Sequence, residues 1–197
     1  MTTDRPPPPK FDLAFTDVET SGTDEREHQI LELAIVRLDP RTMAEKARYH
    51  RYFMPTKPVP EEAARINGYN EALWRERGAE EMRGEDLIEI GNVLQGAAFA
   101  GQVVGFDKRF LWAAYDRMAR IYPAMDYHMI DIAVFGWPLV IAGKTRGLSL
   151  KYTRKFFGLP GEQAHTALAD VLDEIEVYKH FMQAYMKAWE GAPPKSP

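Results

Sequence analysis

Phe11-Asp-Leu-Ala-Phe-Thr-Asp17, running on through Val18-Glu-Thr-Ser-Gly22, is the stretch from which the rest of the chain can be read. It is a short apolar run that ends in polar and turn-forming residues, the pattern of a β-strand leading into a loop. Asp17 and Glu19 stand two apart at its end. Residues i and i+2 of a strand share a face, so both carboxylates project together from one edge of a sheet. Their repulsion is costly unless a cation or a proton neutralises it. Oxygen donors of this kind suit Mg²⁺ or Mn²⁺. Taken alone, Asp-x-Glu describes two surface acids equally well.

Outward from this strand, Ser21 to Asp24 is turn-rich, and Ile30 to Leu38 (ILELAIVRL) is an apolar, partly alternating run that reads as a second strand. Tyr49 to Met54 reads as a third. Short connections predict an antiparallel meander. After Pro58 to Pro60 the pattern turns helical. Glu61 to Ile66 is a short helix, Glu85 to Phe99 a longer one, and Phe110, Leu111, Ala114, Met118 and Ile121 recur at helical spacing. Val103-Val104 and Met129 to Ala133 are candidate strands, and Leu148 to Phe157 a candidate helix. Leu168, Val171, Leu172, Ile175, Tyr178, Phe181, Met182, Tyr185 and Trp189 trace one apolar stripe, read as the core face of a last helix. Strands first and helices later, with one αβα stretch, give an α/β sandwich around one sheet. Residues 11–190 form a single folded domain in this reading. Residues 1–10, with Pro6 to Pro9, and 191–197 are expected to be disordered tails.

Two further sites carry chemistry. Asp107 follows an apolar segment at the start of a helix, and His165 and Asp170 open the last helix. Each acid has an ordinary explanation as a favourable charge at a helix N-terminus. Together they gain weight, because strand ends and helix starts of one α/β domain converge. The chain has no cysteine, which excludes disulfides, zinc–thiolate sites and a thiol nucleophile. Absence of cysteine also fits a reducing cytoplasm. There is no apolar run long enough to span a bilayer and neither GxxxxGK[ST] nor GxGxxG, and Met1 to Lys10, lacking an apolar h-region, is not expected to act as a signal peptide. The net charge of −4 is unusual for a nucleic-acid binder. A cluster of carboxylates holding two divalent cations would offset it.

FTDVETSG at Asp17 and Glu19, GFDKRFL at Asp107 and HTALAD at His165 and Asp170 resemble, in order and spacing, the three motifs of the DEDDh, DnaQ-like 3′→5′ exonucleases. That group includes the proofreading epsilon subunit of bacterial DNA polymerase III. HQILELAIVRLDP, PVPEEAARINGYN and LSLKYTRKFFGLP also resemble family segments, so the likeness runs from Phe11 to Tyr178. It implies an RNase H-like fold, a five-stranded mixed sheet flanked by helices. It implies that Asp17, Glu19, Asp107 and Asp170 hold two Mg²⁺ ions, replaceable by Mn²⁺, with His165 as general base. It implies nucleic acid as substrate, held at a single-stranded 3′ end beside Glu19, Thr20, Ser21 and Gly22, and a DNA polymerase as a candidate partner in proofreading or repair. Ile66 and Phe106 are candidates for wedging or stacking a base, with core packing the plainer role for both. Lys144, Arg146, Lys151, Arg154 and Lys155 are candidates for steering a strand. The chain departs from the family where Gln102 and Val103 replace a histidine–asparagine pair. The leading function is a DNA exonuclease. RNA or short oligonucleotides as substrate would use the same catalytic residues. A non-catalytic binding module would normally have lost one of them, and none is missing.

Overall fold

A computed structural model describes residues 9–160 and 166–190, apart from the side chains of the last two. The tail expectations for 1–8 and 191–197 lie outside the described residues, as does His165. Five strands form one sheet: β1 (Leu13–Thr20), β2 (Ile30–Leu38), β3 (Glu45–Tyr52), β4 (Ala98–Gly101) and β5 (Met129–Asp131), in the order β3-β2-β1-β4-β5. β1 pairs antiparallel with β2, and β2 with β3, which is the expected meander. β4 lies parallel to both β1 and β5. Between and after the strands come α1 (Glu61–Asn67), α2 (Glu71–Glu76), α3 (Gly84–Leu94), α4 (Gly105–Arg117), α5 (Ile132–Phe135), α6 (Trp137–Ile141), α7 (Leu150–Phe157) and α8 (Ala167–Glu190). This is the five-stranded mixed sheet flanked by helices that the resemblance implies.

Alternation along β1 divides the core in two. Ala14 and Val18 pack with Leu87, Ile90, Phe110 and Leu111 of α3 and α4 on one face. Leu13 and Phe15 pack with Val171, Ile175 and Tyr178 of α8 on the other. A side cluster holds α2, with Trp74 donating its indole N–H to the Leu31 carbonyl at 2.9 Å. Among the described residues no helix is long and apolar enough to cross a membrane.

Four predicted elements shift, the third strand among them, which runs over Glu45–Tyr52 and not Tyr49–Met54. The helix expected over Glu85 to Phe99 stops at Leu94, where Gly96 takes a positive φ of 71°. The strand expected at Val103-Val104 is instead Ala98–Gly101. Alanine and phenylalanine carried the helical pattern too far, and the two valines suggested a strand. Parallel pairing of Leu13, Ala14 and Phe15 with Ala98, Phe99 and Ala100 overrides those local preferences. Val103 lies past the strand, 56% exposed and at φ 57°. The fifth strand ends at Asp131 rather than Ala133, because the Asp131 carboxylate accepts the Ala133 N–H at 2.9 Å and starts α5.

Candidate active site

β1 overhangs its parallel neighbour. Pairing with β4 ends at Phe15 and Ala100, while β1 runs on to Thr20. Asp17 and Glu19 therefore continue the row of Leu13 and Phe15 beyond the edge of the core, on the face that α8 covers. A register shift between Glu19 and Thr20 bends the strand there. Bulges of this kind re-aim side chains beside active sites. The first turn of α8 brings Asp170 to the same place. Its approach is set by Val171, Ile175 and Tyr178 packing on the sheet, and by Thr166, whose Oγ1 accepts the Ala169 N–H at 3.2 Å. Oxygens of Asp17, Glu19 and Asp170 lie within 4.8 Å of one another.

Asp107 arrives from the other side. It is in the first turn of α4 and buried. The overhang leaves the Val18 N–H without a partner on β4, and Asp107 Oδ1 accepts it at 3.1 Å. Asp107 adjoins Asp17 without belonging to the close trio: it is the first of the charged neighbours that push Asp17 upward. Burial and this crowding raise every one of these acids whose shift is resolved. Asp17 rises well above the carboxylate range, chiefly by burial. Glu19 reaches about 8, through burial and then Asp170 and Glu32. Asp107 reaches about 7, through burial, despite backbone hydrogen bonds that lower it. Such a group of half-buried and buried acids is poorly stable as a set of bare anions.

Three acids escaped the sequence reading. Glu174, one turn beyond Asp170 on α8, is buried, and its Oε1 accepts the Gln102 N–H at 2.8 Å. Glu32 lies opposite Glu19 across β1 and β2 and faces His50 Nε2 at 2.8 Å. Asp131 accepts the Val103 N–H at 3.2 Å. The signal for the first two was available. Glu32 interrupts the apolar run of β2, and Glu174 falls three residues after Val171 and four before Tyr178, on the apolar stripe of α8.

The remaining candidates are placed as follows. Thr20 donates through Oγ1 to the Gly22 carbonyl at 2.7 Å, and buried Ser21 accepts the Gln29 N–H at 3.0 Å. Gly22 packs under the His28 ring, which a Cβ would strike. Asn67 Nδ2 donates to the Thr20 carbonyl at 2.8 Å, so the end of α1 is tied to the end of β1. That tie holds Ile66 close to the site, 65% exposed, so core packing is not its role. Phe106 does pack, against Phe110 at 4.9 Å between ring centroids. Lys144, Arg146, Lys151 and Lys155 are exposed. Arg154 is only 9% exposed and pairs with Asp173 at 2.7 Å, which makes it structural.

The donor set fits a hard divalent cation. Every donor is an oxygen, the acids are gathered and mostly out of water, and no positive side chain is paired with Asp17, Glu19 or Glu174 among the described residues.

The fold has known counterparts. The exonuclease family named for RNase T matches residues 14–178. Exonuclease I from E. coli, solved in complex with a dT13 oligonucleotide, superposes with a TM-score of 0.73 at 18% identity over 91% of this chain and 43% of that one. Exonuclease I from Methylocaldum szegediense, described as moderately thermophilic, gives 0.70 at 21% identity over 88% and 40%. A zinc-bound form of the E. coli enzyme with single-stranded DNA gives 0.71 at 20% over 86% and 40%. The chain thus spans about two fifths of the length of these structures. No curated protein matches it. With the family matched across nearly all of the described fold, the chain belongs to this DnaQ-like exonuclease family.

Proposed function

We propose that the protein removes nucleoside 5′-monophosphates from the 3′ end of single-stranded or frayed DNA, using two Mg²⁺ ions for which Mn²⁺ can substitute. The observation that carries this reading is the gathering of Asp17, Glu19 and Asp170 within 4.8 Å, with Asp107 beside Asp17. DNA is favoured over RNA because the similar exonuclease I structures hold a dT13 oligonucleotide or single-stranded DNA.

Asp17, Glu19, Asp107 and Asp170 would hold the cations. When bound, these lower the pKa of water and stabilise charge on the attacking and leaving oxygens of an in-line displacement. His165, five residues before Asp170, takes the proton of the attacking water. Histidine's reference pKa near 6.5 suits a base at neutral pH. Water adds to the terminal phosphorus, the 3′ oxygen of the preceding nucleotide leaves, and a 5′-monophosphate is released. Thr20, Ser21 and Gly22 border the terminal nucleotide. Exposed Ile66 offers it an apolar contact, while Phe106 supports the helix that carries Asp107. Exposed Lys144, Arg146, Lys151 and Lys155 attract the strand.

The test is a product ladder from 3′-labelled and 5′-labelled DNA and RNA, with Mg²⁺ or EDTA. The expected result is stepwise loss from the 3′ end of single-stranded DNA, abolished by EDTA. His165→Ala should slow it roughly 10²–10⁴-fold without changing cation affinity. Full activity after rigorous chelation overturns the reading, and preferential trimming of RNA moves the substrate.

A further inference from the structure

Glu174 occupies a position that α8 would ordinarily fill with an apolar side chain. Val171, Ile175 and Tyr178 around it are buried, and Glu174 itself is 1% exposed. Its Oε1 is accounted for by the Gln102 N–H. Its Oε2 is buried and, among the described residues, has no hydrogen-bond partner, as acceptor or as donor. A carboxylate oxygen in that condition is destabilising unless a cation, proton or donor meets it. Among the described residues, the charged neighbours that act on Glu174 most are Asp107, Asp170 and Asp131, all of like sign.

The position of Oε2 shows what it faces. A Cβ built on Gly101 would lie 3.3 Å from Oε2 and 2.9 Å from the carbonyl oxygen of Thr16. Oε2 therefore stands at the seam between β1 and β4, beside the residue that precedes Asp17. Glycine at position 101 leaves the room for it. Glu174 is one of the acids whose charge bears on Asp17, with Asp107, Glu19 and Asp170, and it stands outside the trio whose oxygens lie within 4.8 Å of one another. The other two unforeseen acids differ. Asp131 Oδ1 receives two backbone N–H groups. Glu32 also has a buried Oε2 with no partner among the described residues, but its Oε1 faces the His50 ring and it stands opposite Glu19 on β2, away from the β1–β4 seam.

We infer that Glu174 is a further carboxylate of the cation site, with Oε2 turned to a divalent cation or its bound water while Oε1 anchors the loop after β4. This rests on the exonuclease reading above and adds to the four acids of the family motifs. In it, α8 contributes two carboxylates one turn apart, and the second links the cation site to the loop that leads to Asp107.

The test is Mn²⁺ binding to the full chain, without nucleic acid, by calorimetry and by Mn²⁺ electron paramagnetic resonance. Glu174→Gln keeps an oxygen for the Gln102 N–H and removes the charge. Its Kd for Mn²⁺ should rise by roughly 10–100-fold, the usual effect of removing a group that supports a metal site. Its cation-free melting temperature should not fall. Glu176→Gln removes the same charge from the exposed side of α8 and should leave Kd unchanged. A Glu174→Gln protein with wild-type Kd overturns the inference, the more so with a lowered melting temperature, since the acid then serves only the loop. If Glu174→Gln does not fold, Glu174→Asp keeps the charge but withdraws Oε2, and the same weakening or its absence decides. The exonuclease reading fails separately, when the wild-type protein shows no cation-dependent hydrolysis. A wild-type protein that binds no Mn²⁺ overturns both.

Discussion

Val103 shows how a single residue can be misread from its type. Val103-Val104 suggested a strand, and one role open to the family's asparagine at this place is a contact to the substrate. The backbone supplies another reason for asparagine: position 103 is left-handed, at φ 57°. Asparagine and glycine tolerate that region, whereas a β-branched residue pays roughly 1–2 kcal/mol for it. The valine side chain is largely exposed, so little burial would be lost. Val103→Asn should raise unfolding stability by about 1 kcal/mol, and Val103→Gly by less because glycine gains freedom in the unfolded chain. Urea unfolding checks this, and no gain in either variant would mean the strain is relieved elsewhere. Kinetics on the same pair separate the two explanations of the family's asparagine. A lower KM or a changed DNA/RNA preference in Val103→Asn alone, on the order of 1 kcal/mol, would reveal an amide contact to the substrate.

At the scale of elements, the site depends on how α1 is fastened to β1. Buried Asn67 is the clamp. Its Nδ2 donates to the Thr20 carbonyl at 2.8 Å, and its Oδ1 accepts the Tyr69 N–H at 3.0 Å. Asn67→Ala removes both bonds from half-buried backbone groups, a loss of about 1–3 kcal/mol. It also frees Ile66 and the Thr20–Gly22 turn, which border the proposed place of the terminal nucleotide. KM should rise by more than kcat falls, because the carboxylates on β1, α4 and α8 stay where they are. Steady-state kinetics beside thermal unfolding would show it. A fall in kcat at constant KM would place the clamp's effect on the acids instead.

Across the whole molecule, the packing of α8 on one face of the sheet and α4 on the other forces at least five acids into one region. For four of them the folded-state pKa lies above that of the free side chain: about 7 against 3.8 for Asp107 and about 8 against 4.5 for Glu19, with Asp17 and Glu174 also raised. The folded state therefore binds more protons than the unfolded chain. The stabilisation this represents is fully present below the free-side-chain values and is lost as pH rises through about 7 and 8. In EDTA the melting temperature should fall steadily between about pH 5 and pH 8.5. Mn²⁺ should abolish or reverse that fall, because it replaces the protons and binds only the folded site. A flat profile in EDTA would mean that the acids are separated in solution.

The local signals in this chain were strong where periodicity and covalent spacing are enough. The β1–β2–β3 meander, the apolar stripe of α8 and the Asp-x-Glu pair on one strand face follow from alternation, helical repeat and short connections, and the motif resemblance named the family. What depended on distant partners was not legible. β4 is a strand only because β1 offers it a parallel edge, so its alanines looked helical and its neighbouring valines looked extended. Glu174 looked like one more charge on a long helix, and Arg154 like one more solvated cation, until packing buried both. The overhang of β1 past β4, which frees the Val18 N–H for Asp107, is a matter of register between strands far apart in the chain. Burial and register are properties of the assembled fold, and they turned a spaced set of acids into one site.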